Sequence, residues 1–226
     1  MAVNPDAEIE ITAFSWVPPF AQGLVRDLRI RWALEEIDRD YRVRLIDATS
    51  PRPPEYFLEQ PFGQVPVYKD NEVELFESGA ILIHVGMQDE RLLPEEHAAQ
   101  MRAIAWLIAA LNSVEPAIFP LLMINVFNKG EPWTEEARPK FTERLNGRLK
   151  CASDALGDKE WLEDRFTIGD LMFVTVLRQL RSTGILDQFP NLAAFVERGE
   201  SRPAFERALS DQLAVFREHE PEGVAA

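Results

Sequence analysis

Polar and apolar positions alternate over Ile9-Glu10-Ile11-Thr12-Ala13-Phe14, which predicts a first strand. Leu24, Leu28 and Trp32, flanked by Val25, Ala33 and Ile37, recur at helical spacing and predict a helix from about Ala21. Tyr41, Val43 and Leu45 alternate with Arg42 and Arg44 as a second strand, and Glu55–Gln60 has room for one or two helical turns. Val65-Pro66-Val67-Tyr68 and Glu72-Val73-Glu74-Leu75 read as two short strands with Asp70-Asn71 turning between them. A helix from Ser78 to about Gln88 follows, giving the order β-α-β-α-β-β-α. Asp89–Pro94 interrupts the pattern with polar residues and a proline, and beyond it no segment reads as a strand.

The second half is helical in pattern. Glu95 to about Ser113 places Met101, Ile104, Ala105, Ile108 and Leu111 on one face, which predicts the buried side. Pro116 and Pro120 are expected to kink or end that helix, because proline lacks the N–H and its ring crowds the preceding turn. Glu135–Leu156 is a further helix with Phe141, Leu145, Leu149, Ala152 and Leu156 in register. Thr167 followed by Asp170 is a capping box, and the run to Leu180 behind it is apolar nearly all round, so it predicts a buried central helix. Leu192, Phe195 and Val196, then Phe205, Leu209, Leu213 and Phe216, mark two outer helices.

Candidate chemistry gathers between Pro61 and Val85. Proline inside a strand gives no donor to the ladder, so Pro66 needs a local reason. A cis Val65–Pro66 bond is one, and it would leave the Val65 peptide groups free to pair with an extended peptide. Ser78 is a good N-cap type, and a helix N-terminus attracts a carboxylate. Glu77 beside it suits an ammonium group. A carboxylate and an amine side by side, followed by a peptide along Val65, describe a small peptide with a free amino-acid end, such as glutathione.

Gly63-Gln64-Val65-Pro66-Val67 followed by Leu75-Phe76-Glu77-Ser78-Gly79-Ala80-Ile81 resembles the glutathione-binding segment of the cytosolic glutathione S-transferases. The resemblance implies an α/β thioredoxin-like N-terminal domain over residues 1–88, a linker at 89–94 and an all-α domain over 95–226. It implies glutathione as co-substrate, held by Gln64, Val65, Pro66, Glu77 and Ser78, and a homodimer. For the last, the apolar surplus around Ala105 and Ile108 is a second motive. The expected activity is conjugation of the glutathione thiolate to a small apolar electrophile. Reductive cleavage, isomerisation, peroxide reduction or a non-catalytic binding role would use the same segment.

A free thiol has a pKa near ~8.5, so the chemistry needs a group that stabilises the thiolate. Tyr41, Tyr56 and Tyr68 lie outside the loop after the first strand, and Cys151 is far along the chain. Ser15, directly after that strand, remains as the serine-type candidate, with Trp16, Gln22 and Arg26 as other nearby donors. The loop from Ser15 to Gly23 is longer than the family pattern. Trp16 and Phe20, with Leu111, Ser113 and Phe119 of the second half, are the candidate walls of an electrophile site.

Composition narrows the partners. A formal charge of -14 argues against nucleic acid and anionic membranes. No uninterrupted apolar run reaches the ~18 residues of a membrane span, and no basic-then-apolar leader opens the chain. The single cysteine permits no internal disulfide and fits a reducing cytoplasm. His84, His97 and His219 lack metal-ligand spacing, so no metal is expected.

Overall fold

The computed structural model describes residues 3–221. Two compact units emerge: residues up to Leu92 together with those from Ser201 onward, and Leu93–Glu200.

The first unit is built on a four-stranded sheet in the order β2-β1-β3-β4. The strands are β1 (Ile9–Phe14), β2 (Tyr41–Ile46), β3 (Val67–Lys69) and β4 (Glu74–Phe76). β1 and β2 are parallel, joined through α1 (Asp27–Glu36), while β3 is antiparallel to both β1 and β4. This is the expected element order, with α2 (Tyr56–Glu59) before the hairpin and α3 (Ser78–Gly86) after it. Ile9, Ile11 and Ala13 of β1 are buried, as the alternation predicts, and Thr12 is buried as well.

Three local expectations change. α1 starts at Asp27 rather than about Ala21, because Pro18 to Arg26 forms successive tight turns instead of helix. The hairpin strands shift two residues along: Val65 and Pro66 lie outside the ladder, since proline cannot donate to it. The turn closes through Asp70, whose carboxylate accepts the amides of Glu72 and Val73, both at 2.8 Å.

α9 (Pro203–Glu218), expected in the helical half, packs on α1 in the first unit. Arg202 grips Glu36 through two bonds of 2.6 and 2.7 Å, and Arg207 reaches Glu35 at 2.6 Å. Gln212 donates to the buried Asp27, which also pairs with Arg31 at 2.7 Å. The Trp32 and Phe205 rings meet edge to face with centroids 4.9 Å apart.

The second unit comprises α4 (His97–Ala109), α5 (Glu115–Leu122), α6 (Pro132–Leu156), α7 (Ile168–Leu177) and α8 (Pro190–Glu200). α4 and α5 are stretches of one continuous helix, His97–Phe127, widened into π turns at Ala110–Val114 and Met123–Phe127. Pro116 and Pro120 therefore do not end the helix. The first wide turn loosens the backbone just ahead of Pro116, where an α-turn would press the ring against a carbonyl. Length and composition would let this helix cross a membrane, contrary to the expectation from uninterrupted runs. Asn112 and Ser113 break the run without lowering its average apolarity far.

The buried face of α4 also differs from the expected one. Ala103, Leu107, Ala110 and Val114 are buried, whereas Met101 and Ile108 are exposed. Both stripes are apolar, so periodicity could not choose between them. α7 chooses: it lies so close to α4 that a Cβ on Gly169 would sit 2.9 Å from the Ala103 carbonyl. Every residue of α7 is buried, as predicted for a central helix.

Candidate functional site

Three segments reach the same end of the sheet. Val67 pairs with Phe76, so the residues just before β3 and just after β4, Pro66 and Glu77, leave the hairpin side by side. Ile11 pairs with Tyr68, and continuing that antiparallel register carries Phe14 level with Val65 and Ser15 level with Gln64. The end of β1, the Gln64–Pro66 segment and the start of α3 thus converge.

The middle segment is held firmly. The Val65–Pro66 peptide is cis. The Val67 amide donates to Thr12 Oγ1 at 2.7 Å, and the Tyr56 hydroxyl donates to the Gln64 carbonyl at 2.6 Å. Tyr56 has a single proton and spends it on Gln64, so in the 3.2 Å contact between the two hydroxyls Thr12 is the donor. Burial raises the Tyr56 pKa and keeps that proton in place. Arg52 Nε donates to the Gly63 carbonyl at 3.0 Å. Between these anchors the Val65 N–H and C=O make no main-chain hydrogen bond among the described residues, although the residue is 6% exposed.

At the third segment the structure corrects the assignment of the cap. Glu77, not Ser78, is the N-cap residue of α3, and it makes no side-chain cap bond. Its backbone sits at φ 69°, ψ 113°, a conformation that costs an L-residue free energy and is found where structure over-determines it. Ser78 is the first helical residue and is buried; its Oγ accepts a 3.0 Å hydrogen bond from Arg29 Nη1 of α1. The first turn of α3 carries no acidic residue to compete with an incoming anion. The Glu77 side chain is exposed.

The hairpin is tied to α3 by a half-buried polar group. Asp70 Oδ2 accepts from Tyr68 at 2.8 Å and lies 2.9 Å from His84 Nε2. Burial works against the Asp70 charge, but His84 and the Val73 and Glu72 amides outweigh it and hold the carboxyl below its usual range.

Ser15 is half-buried at the end of β1; its amide donates to Ile46 at 2.9 Å, and its hydroxyl has no partner among the described residues. Trp16 Nε1 beside it is a buried donor, also without a partner. Phe20 is 50% exposed in the same loop. In the second unit Leu111 and Ser113 lie in the first π turn, and Phe119 is exposed on α5. Ser15, Gln64, Val65, Pro66, Glu77 and Ser78 are thus brought together by one sheet end, while the candidate electrophile-site residues divide between the units.

Known proteins show the same construction. Residues 12–86 match the glutathione S-transferase N-terminal domain, and residues 122–211 the glutathione S-transferase C-terminal domain. A glutathione S-transferase GstA of Escherichia coli O157:H7 is 30% identical over 186 residues, which cover 78% of this chain and 89% of that protein. The chain belongs to the glutathione S-transferase family. A probable family member from Oryza sativa subsp. japonica is 26% identical over 193 residues, covering 79% of this chain and 88% of that one. Among solved structures, a Burkholderia graminis glutathione transferase with two glutathione molecules bound per subunit superposes with a TM-score of 0.78. It covers 90% of this chain and 88% of its own, at 22% identity, and so speaks for the fold. As a glutathione S-transferase the protein is a transferase-family enzyme, with the thioredoxin-like sheet domain and helical second domain of that fold.

Four residues that shape this glutathione S-transferase site were missed in the sequence: Thr12, Arg29, Arg52 and Tyr56. Thr12 shares its face of β1 with Glu10 and Phe14, the polar side of the alternation, so the pattern gave no sign that it is buried. Arg29 and Tyr56 carried no signal either, because their partners lie 49 and 44 residues away in sequence.

Proposed function

We propose that the protein binds glutathione at the convergent sheet end and transfers its thiolate to a small apolar electrophile. The observation that carries this is the coincidence of three capacities unoccupied among the described residues: the Ser15 hydroxyl, the Val65 peptide groups and the start of α3. The γ-glutamyl carboxylate would meet Ser78 and the first α3 amides, and its ammonium the Glu77 carboxylate. The cysteine backbone would pair with Val65 as an added strand, with Gln64 alongside. That pairing directs the sulfur toward Ser15. In the reaction the thiolate forms a carbon–sulfur bond and the electrophile loses its leaving group as an anion. Such chemistry in the cytoplasm suits disposal of reactive apolar compounds.

Turnover of a chlorinated dinitroaromatic with glutathione tests the activity, with chloride as the leaving group. In Ser15→Ala the loss of one hydrogen bond to an anion, ~1.5–3 kcal/mol, should raise the bound thiol pKa by about one to two units. Turnover at pH 7 should fall about ten- to a hundredfold with glutathione affinity nearly unchanged, and the deficit should shrink as pH rises. A mutant profile identical to the parent's moves the role to Trp16, whose buried, unpartnered indole N–H is the specific observation favouring that second reading. Binding of glutathione without turnover across electrophiles, haloacids and hydroperoxides favours a non-catalytic role.

A homodimer belongs to the same proposal. Ile108 and Met101 on α4 are exposed apolar residues of the second unit. Phe57, Leu58, Phe62 and Phe76 form another exposed apolar group in the first, with the Phe62 and Phe76 rings 6.3 Å apart. Two-fold pairing is the commonest way to cover such faces. Light scattering at micromolar concentration should give twice the chain mass; a monomer refutes it.

A further inference from the structure

We infer that Arg29 is a positioning residue for the carboxylate of the bound ligand, acting through the Ser78 hydroxyl. This rests on the glutathione reading above. A serine hydroxyl has one proton and two lone pairs. Arg29 Nη1, a pure donor, fills one lone pair from 3.0 Å away. The Ser78 proton therefore points away from Arg29, and among the described residues no protein acceptor takes it. It is left for whatever docks at the start of α3, and a carboxylate is the group that accepts from it and from the adjacent amides.

Burial decides how Arg29 acts. The residue is 3% exposed and lies on α1, which packs against α3, so a ligand does not touch it. Two hydrogen bonds in series place the guanidinium within about 6 Å of a bound carboxylate. At that distance a positive charge in a low-dielectric setting favours the anion, and it polarises the hydroxyl between them. Lysine at this position would supply charge without the fixed planar donor, so the two contributions are separable.

The experiment is calorimetric titration of the full chain with two probes. One is glutathione; the other is γ-aminobutyryl-cysteinyl-glycine, which keeps the amine and the peptide but lacks the α-carboxylate of the γ-glutamyl end. Arg29→Met should weaken glutathione binding tenfold or more and the decarboxylated probe less than twofold. Arg29→Lys should recover part of the loss for glutathione alone. Combining Arg29→Met with Ser78→Ala should cost little beyond the worse single change, because both interrupt one chain of bonds. If Arg29→Met fails to fold, Arg29→Gln, which keeps a donor but no charge, carries the same selective prediction. Equal losses for both probes would make Arg29 a structural residue only and overturn the inference. Failure of the unaltered protein to bind glutathione would overturn the functional reading itself, and this inference with it.

Discussion

The helices α3 and α7 both begin in a polar turn, and the two starts are finished in different ways. At α7 Thr167 caps the helix by accepting from the Gly169 amide at 3.1 Å. Asp170 reaches back to accept the amides of Thr167 and Leu162, at 2.9 and 2.8 Å, together with the Thr167 hydroxyl at 3.0 Å. Every strong group there is used by the protein itself, and the whole start is buried. At α3 the N-cap side chain makes no cap bond, its backbone is held at positive φ, and the buried Ser78 hydroxyl accepts from Arg29 of α1 instead of from the helix's own amides. A sealed start stabilises its unit. An open one leaves part of that stabilisation to be completed by a ligand.

The largest effect should come from breaking the sealed start. Asp170→Ala orphans two buried amides and a hydroxyl, each of which costs about 1–3 kcal/mol when left unpaired. Stability measured in guanidinium should fall by about 3–5 kcal/mol. A loss below about 1 kcal/mol would show that water enters and replaces the carboxylate.

A smaller effect follows from the charge of Asp170. Burial raises its pKa to about 6, above the ordinary 3.8, although hydrogen bonds from Leu162 and Thr167 pull it down. The folded state then holds the proton more tightly than the unfolded one. The stabilisation is fully present below 3.8 and is lost as pH rises through about 6, by about 2–3 kcal/mol in all. Asp70 has the opposite sign: its folded pKa is depressed, so its contribution is present above 3.8 and is lost as pH falls below it. Denaturation midpoints at pH 4, 5, 6 and 7 for the protein and Asp170→Asn should diverge across that window. Parallel midpoints would mean that Asp170 stays ionised throughout.

The smallest effect, about 1.4 kcal/mol or slightly more, should appear at the open start. Glu77→Ala with Ser78→Ala is expected to weaken glutathione binding by more than tenfold. Unchanged affinity in a titration would place the ligand elsewhere and dissolve the contrast between the two helix starts.

The sealed start was readable from sequence and the open one only in outline, and the reason is distance along the chain. Thr167 and Asp170 satisfy each other within one turn, so four letters carry the whole device. The Val65-Pro66 and Glu77-Ser78 pairs could be placed because a short hairpin joins them. What orients Ser78 comes from Arg29, 49 residues away, and no local pattern records it. The misjudged face of α4 has a related cause: Ile104, Ile108 and Leu111 are as apolar as the Leu107 stripe, and only the approach of α7 at Gly169 separates them. The start of α1 was misplaced because Leu24 and Val25 keep the helical rhythm through turns that Pro18 and Pro19 initiate.

The return of α9 to α1 sets an order on the birth of the molecule. Asp27, Glu35 and Glu36 lie near the beginning of the chain, and their partners Gln212, Arg207 and Arg202 lie near its end. A ribosome releases these partners only after the whole of Leu93–Glu200 has been made. Until then the α1 surface that receives Phe205 is bare, and the buried Asp27–Arg31 pair lacks its amide partner. Domains generally fold as units during synthesis, the earliest first. Here the first unit to begin is the last to be finished, and the helical unit, contiguous in sequence, has the time to fold while its neighbour waits. A chain stopped at Glu200 would carry every residue of the sheet end, yet expose on α1 the apolar and charged surface most apt to be captured by another molecule.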